Sequence, residues 1–336
     1  MMKKNVFMRS DAIPFIAFIV TLAFFTIASA GRMLSIYNLG KLIDQSMIII
    51  VIGCGAIFVV AQGSIDLSVG VNLALSGVVS MWATLQIGAP ILLIPISIII
   101  GTIFGILNGF VVSKLKVPSF ILTISLLIGV RGVVNFIQTK VDTSYIPDSL
   151  RILNEPYVKI PMFIVIILVM AYVFEYTKAG RYSQSIGENE IVAKFVGVPI
   201  TKMKILAFML SGMMAGMAAI FSIVTVGGTS QSMGSFAEMR VSIAIFLGGV
   251  LASGGKSARF YKMLLGAFSV TMIVNGLAII GFPETQISQT VEGILLLLIL
   301  FVTRLFTLHD RKRGLSATDD TSNDTDPEAG ESANVS

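Results

Sequence analysis

Charged side chains are scarce in this sequence, 13% of residues, where a soluble domain carries roughly 25%. With hydrophobic residues at 55%, that scarcity excludes a water-soluble globular fold. Cysteine is nearly absent: Cys54 stands alone in an apolar run, so no intrachain disulfide can form. Histidine is equally rare. His309, near the C-terminus, leaves no imidazole for a metal cage or a Ser–His pair within a membrane. No metal or cofactor is expected of the chain.

What the sequence does have is a series of apolar runs, each about 17–24 residues, the length a bilayer-crossing helix needs. Lipid offers free backbone groups no solvent, so an all-α integral membrane protein is expected. Ten crossings are placed at about 13–31, 46–62, 66–84, 90–112, 119–137, 160–177, 205–226, 239–252, 263–281 and 287–307. The weakest is 239–252, which is short and carries Ser242 and Gly248-Gly249. The basic start Met1–Asp11 and the run Ile13–Ala30 have the order of a signal peptide. The run is longer than an h-region of about 7–15 residues, however, and reads as a retained first helix.

Charge orients the chain. One alternating set of ends and connections holds Lys3, Lys4, Arg9, Lys114, Lys116, Lys178, Arg181, Lys194, Lys202, Lys204, Lys256, Arg259, Lys262, Arg304, Arg311, Lys312 and Arg313. The other holds only Arg32, Lys41, Lys140, Arg151, Lys159 and Arg240. The positive-inside rule therefore places both termini in the cytoplasm. The net charge of +5 reflects this asymmetry and does not point to nucleic acid.

Residues 1–308 read as one polytopic transmembrane domain. The connection Gln138–Ile160 is expected outside, and the basic connection 178–204 inside. Residues 309–336 read as a cytoplasmic acidic tail, of low complexity from Ala317 onward; it cannot bury apolar area and is expected to be disordered. A weak repeat sets Gly101–Gly109 against Gly266–Gly276: each begins with a glycine and ends in Asn-Gly, on helices assigned opposite directions. Inverted repeats mark transporters, with the solute route at the repeat interface.

The stretch Ala61-Gln62-Gly63-Ser64-Ile65-Asp66-Leu67-Ser68-Val69-Gly70 breaks two apolar runs with an amide, a carboxylate and hydroxyls. A carboxylate at mid-membrane costs about 2.5–3.5 kcal/mol, so it is retained where it meets water, a partner or a solute. Gln62, Asp66, Ser68 and Asn72 are candidate substrate-pathway residues, and Asn108 in the fourth span joins them. The plainer reading is that Ser64 or Asp66 caps the third helix and that Asn108 is helix–helix glue. Gly101 with Gly105, and Gly212 with Gly216, are expected to let helices approach closely. Arg131 is expected to snorkel outward, and Glu238 and Arg240 to pair with one another. Val250–Ser257 imitates a phosphate loop, but Val250 stands where glycine is required and no strand precedes it, so no nucleotide site is encoded. In the cytoplasmic connection, Asn189 is placed to cap a short helix that Gly197 and Pro199 end, with Phe195 and Val196 exposed for a partner's groove or the membrane surface.

Several pieces in order resemble the membrane permease of ribose-type ATP-binding-cassette sugar importers across about residues 45–308. They are Ile65–Gly70, Asn108-Gly109, Val117–Thr123, Arg131-Gly132, Gly180–Tyr182, Ile186–Glu190, Leu210–Gly212 with Ala215-Gly216, and Leu247–Gly249 with Ser253–Gly255. The resemblance implies two inverted halves with a peripheral first helix, in a bacterial plasma membrane among its lipids. It also implies a homodimer or heterodimer of permeases, a separate cytoplasmic ATPase, and an extracytoplasmic solute-binding protein. The segment carrying Gly187, Asn189, Glu190, Ala193 and Gly197 would then be the piece that couples to the ATPase. Gly187-Glu188-Asn189 departs from the Gly-Gly-Asn more usual there. A self-contained secondary transporter is the rival reading, resting on Asp66 alone; a membrane enzyme would want clustered acids or bases that the sequence lacks.

Overall fold

The computed structural model describes residues 2–140, 145–282, 287, 289–298 and 301, the side chains of 2–11, 13 and 140 excepted. The architecture is helical throughout. Helices α1 (Met2–Ala28), α2 (Ile36–Ala61), α3 (Val69–Ile87), α4 (Leu93–Lys114), α5 (Ser119–Lys140) and α6 (Pro156–Tyr176) precede two short ones, α7 (Lys178–Glu188) and α8 (Glu190–Phe195). Helices α9 (Ile200–Val226), α10 (Ala237–Leu247) and α11 (Phe260–Ile279) follow. Among the described residues there is no strand, only an isolated bridge between Tyr145 and Gly228.

Among the described residues, seven helices are long and apolar enough to cross a membrane: α2 to α6, α9 and α11. The three remaining expected crossings differ for local reasons. The apolar part of α1 is only Pro14–Ala28. The run at 239–252 yields an eleven-residue helix, because Gly248 and Gly249 (φ +82) turn the chain after Leu247. Of 287–307, the described part is the short apolar helix Gln289–Leu298 with residues 287 and 301; the rest, like the tail 309–336, lies outside the described residues.

Local chemistry sets the helix ends. Ser35 accepts the Asn38 amide at the start of α2, Pro156 opens α6, and Gly88 and Gly227 close α3 and α9 in the left-handed conformation that glycine adopts without penalty. At the centre α2 and α9, the most buried spans, pack on one another. α4 lies along α9 through the expected small residues. A β-carbon on Gly101 would meet Gly212 and Gly216, and one on Gly105 would meet Phe208 and Gly212. Ser97 Oγ donates to the Gly216 carbonyl at 2.7 Å in the same seam. α11 in turn packs on α2 and α10, while α1 lies along α11 with Phe15 stacked on Tyr261.

Contacts along these seams fix relative direction. Residues 97 to 109 of α4 meet residues 216 to 205 of α9, so the two are antiparallel. Lys159 at the start of α6 bonds Asp44 near the start of α2 and Thr225 at the end of α9, so α2 and α9 are antiparallel too. Asn275, late in α11, reaches Gln45, early in α2. α4 and α11 therefore run in opposite directions, as the repeated Asn-Gly segments require.

Candidate functional site

The break between α2 and α3 is built by a turn and a buried carboxylate. Gln62 follows the last turn of α2, and its Nε2 donates to Ser183 Oγ and to the Met203 carbonyl, both at 3.0 Å. Gly63 (φ +72) then reverses the chain. Asp66 Oδ1 accepts from the Ser68 amide at 3.0 Å and the Ser68 hydroxyl at 2.6 Å, while Oδ2 accepts from Ser211 Oγ at 2.8 Å. Asn108 Nδ2 donates to Ser68 Oγ at 2.8 Å, completing a chain of bonds from α4 to α9. Ser211 lies eight residues past Met203 along α9, so the segment climbs ~12 Å back into the bundle between Gln62 and Asp66.

All five pathway candidates are buried. Asp66, Ser68 and Asn108 are brought into one network, with Ser211 as the member that helix spacing alone did not single out. Asn72 stands apart: its Nδ2 donates to the Gly101 carbonyl at 3.3 Å, and its Oδ1 accepts from Ser76 at 3.2 Å. The expected cap is corrected. Ser68, neither Ser64 nor Asp66, occupies the position before α3, and its hydroxyl serves Asp66 rather than the helix amides.

A second break lies opposite. Between Gly227 and Ala237 the chain leaves α9 and starts α10, and Gly234 (φ +68) is pressed against Gly70 in the first turn of α3. Glu238, in the first turn of α10, is buried against the same glycine, and its Oε2 has no hydrogen-bond partner among the described residues. Two expectations fail here. Arg131 turns inward and donates from Nη1 to the Met233 carbonyl at 2.7 Å, because the turn of the second break presents that acceptor to α5. Arg240 pairs with Glu292 at 3.0 Å, not with Glu238; residues two apart on a helix point to different sides. The polar run Gly227–Ser232 between apolar stretches was the one available signal for this break.

The segment 178–204 carries the expected capped helix. Asn189 Oδ1 accepts from the amides of Ile191 and Val192, each at 3.0 Å, and Gly197 (φ +83) ends the turn. Ala193 is buried with Ile186 and Val198, and Glu190 holds Lys204 at 2.8 Å. Gly187 faces Ala61 and Gly255. The named residues thus shape α8, while Ile191, Val192, Phe195 and Val196 are exposed, Phe195 to 87%. The Val250–Ser257 segment is a clasp on this region: the Lys256 amide donates to Glu188 Oε1 at 2.7 Å.

A bundle of membrane-length helices with two breaks meeting in its interior and an exposed apolar knob at α8 fits the class of solute permeases. The chain belongs to the family described as the permease component of the branched-chain amino acid transport system, which matches residues 38–300. It is 27% identical to a fructose import permease of Rhizobium meliloti, over 85% of this chain and 83% of the relative. It is 27% identical to a xylose transport system permease of Haemophilus influenzae, over 86% and 95%. A ribose import permease of Escherichia coli K12 is 28% identical, over 80% and 86%. No solved structure matches the chain. The chain is the permease subunit of an ATP-binding-cassette importer, a multi-pass membrane protein whose ATP hydrolysis sits on a separate subunit.

Proposed function

We propose that this permease forms the pathway for a monosaccharide and is driven by a cytoplasmic ATPase and supplied by a solute-binding protein outside. The observation that carries this is the pair of breaks whose helix starts converge at Gly70, Gly234 and Glu238, the arrangement transporters use to bring polar groups to the solute route. Its relatives are named for fructose, xylose and ribose, all polyols, which suit hydroxyl, amide and carboxylate surroundings. Gln62, Asp66, Ser68, Asn72 and Asn108 build the wall of the pathway from behind, since their polar atoms bond within the chain.

The chain is proposed to make ten crossings, with α1, α10 and the segment from residue 287 added to the seven long spans. α2–α4 and α9–α11 are the corresponding pieces of two inverted halves: α4 packs on α9 as α11 packs on α2, and α3 pairs with α4 as α10 with α11. Both termini face the cytoplasm, and 309–336 is a tail there. The permease acts as a dimer. α5, the least buried span, exposes Ser125, Gly129, Gly132, Asn135 and Thr139 along one face, and a polar amide turned to lipid calls for a second copy or a wetted cavity.

Coupling to the ATPase is assigned to the helix that Gly187, Asn189, Glu190, Ala193 and Gly197 shape, through its exposed Phe195. The test is uptake of radiolabelled ribose, xylose and fructose into vesicles holding this chain, its co-purifying ATPase and the binding protein. Uptake of one sugar should require ATP and fall at least tenfold with Phe195→Asp. Uptake by this chain alone would overturn the assignment.

A further inference from the structure

Three segments distant in sequence interlock beside the first break: Ser183–Glu188 of α7, the end of α2 with Gly63, and the loop at 253–258 between α10 and α11. A β-carbon on Gly187 would overlap the Ala61 carbonyl and the Gly255 amide, and one on Gly254 would meet the carbonyls of Val60 and Ala61. Gln62 holds Ser183, and Gln184 Nε2 donates to the Ala258 carbonyl at 3.0 Å. Gly254 and Gly255, at φ +74 and +73, aim the loop so that the Lys256 amide reaches Glu188 Oε1 at 2.7 Å. Glu188 is the last residue of α7, where the helix dipole disfavours a carboxylate. Its exposed side chain nevertheless lies on the loop.

We propose that Glu188 is a positioning residue that transmits movement of the coupling segment to both breaks at once. The first break receives it through Gly63, three residues from Asp66; Gly63 packs on Ser253 and Gly254 of the loop that Glu188 holds. The second receives it through the 253–258 loop, which is continuous with the α10–α11 pair, where Gly248 packs on the Lys262 carbonyl and Gly266 on the Ala244 carbonyl. One coupling segment thereby moves two halves in step. The inference rests on the assignment of 178–204 as the coupling segment.

Hydrogen exchange of the full permease with its co-purifying ATPase in nanodiscs, with and without ADP-vanadate, tests it. Protection of 189–196 by the ATPase reports the coupling assignment; changes at 62–68 and 250–257 on trapping report the transmission. The wild-type chain should show both. Glu188→Ala should keep the protection of 189–196 and lose the vanadate-dependent change at 62–68 and 250–257. Glu188→Gln, which keeps an acceptor oxygen for the Lys256 amide, should restore it. An unaltered response in Glu188→Ala, or no response at 62–68 in the wild type while 189–196 is protected, would overturn the transmission. Lack of protection at 189–196 in the wild type would remove the coupling assignment itself.

Discussion

The two breaks each bury a carboxylate, and they surround it in opposite ways. Asp66 is an acceptor among donors: the Ser68 amide, the Ser68 hydroxyl and the Ser211 hydroxyl all point at it. Glu238 Oε2 is an acceptor near another acceptor, since it and the Gly234 carbonyl crowd the same face of Gly70. The first arrangement lowers the free energy of one geometry and no other. The second leaves a polar atom whose needs would be met by a different geometry. The first break is thus held as one unit that moves without changing its internal bonds, and the second has a geometry left to change during transport.

The largest effect is expected from Asp66→Ala. It strips the acceptor from two buried hydroxyls and a buried amide. Bonds to a charged group are worth about 1.5–3 kcal/mol each, reduced in membranes because the unfolded chain finds other partners. A loss of about 3 kcal/mol should appear as a lower thermal midpoint of the purified permease in detergent. An unchanged midpoint would show that the first break is not held by this carboxylate, and the comparison would collapse.

Next comes Gly70→Ala, at the point where the breaks touch. The new β-carbon meets a backbone carbonyl, that of Gly234, as well as the Glu238 carboxylate. A side chain can rotate aside, whereas the carbonyl moves only with its turn. The cost should be about 2 kcal/mol, typical of overpacking, with ATP-driven uptake reduced more than assembly with the ATPase. Full uptake would mean that the two breaks work without close contact.

How much of this was readable beforehand follows from what sequence spacing reports. The first break was visible because polar residues interrupt two long apolar runs within ten positions. The cap at Asn189 and the seam of Gly101, Gly105, Gly212 and Gly216 were visible because each is a local pattern with one common physical use. The partners across the bundle were not. Periodicity tells which residues share a face of one helix, and says nothing about which helix that face meets. Arg131 therefore looked like an anchor at the membrane surface, and Arg240 looked like the mate of its neighbour Glu238. The length of α10 was misjudged for a related reason. Apolar residues continue past Leu247, but Gly248 and Gly249 turn the chain to pack on α11.

The smallest effect, and the one that sharpens the comparison most, is expected from Glu238→Gln. At Asp66 the corresponding change to an amide would set an N–H₂ group against donors and should destabilise. At Glu238 the same chemistry removes a buried charge and turns one acceptor into a donor beside the Gly234 carbonyl. The stability change should stay within about 0.5 kcal/mol in either direction, because a neutral amide costs less to bury than a carboxylate while the attraction of Arg131 and Arg240 for the charge is lost. Uptake should nevertheless fall, since a satisfied second break has less reason to leave its resting geometry. Thermal midpoints and uptake measured on the same preparation separate the two effects. A marked loss of stability in Glu238→Gln would show that Oε2 is held as firmly as Asp66, and that the two breaks are alike after all.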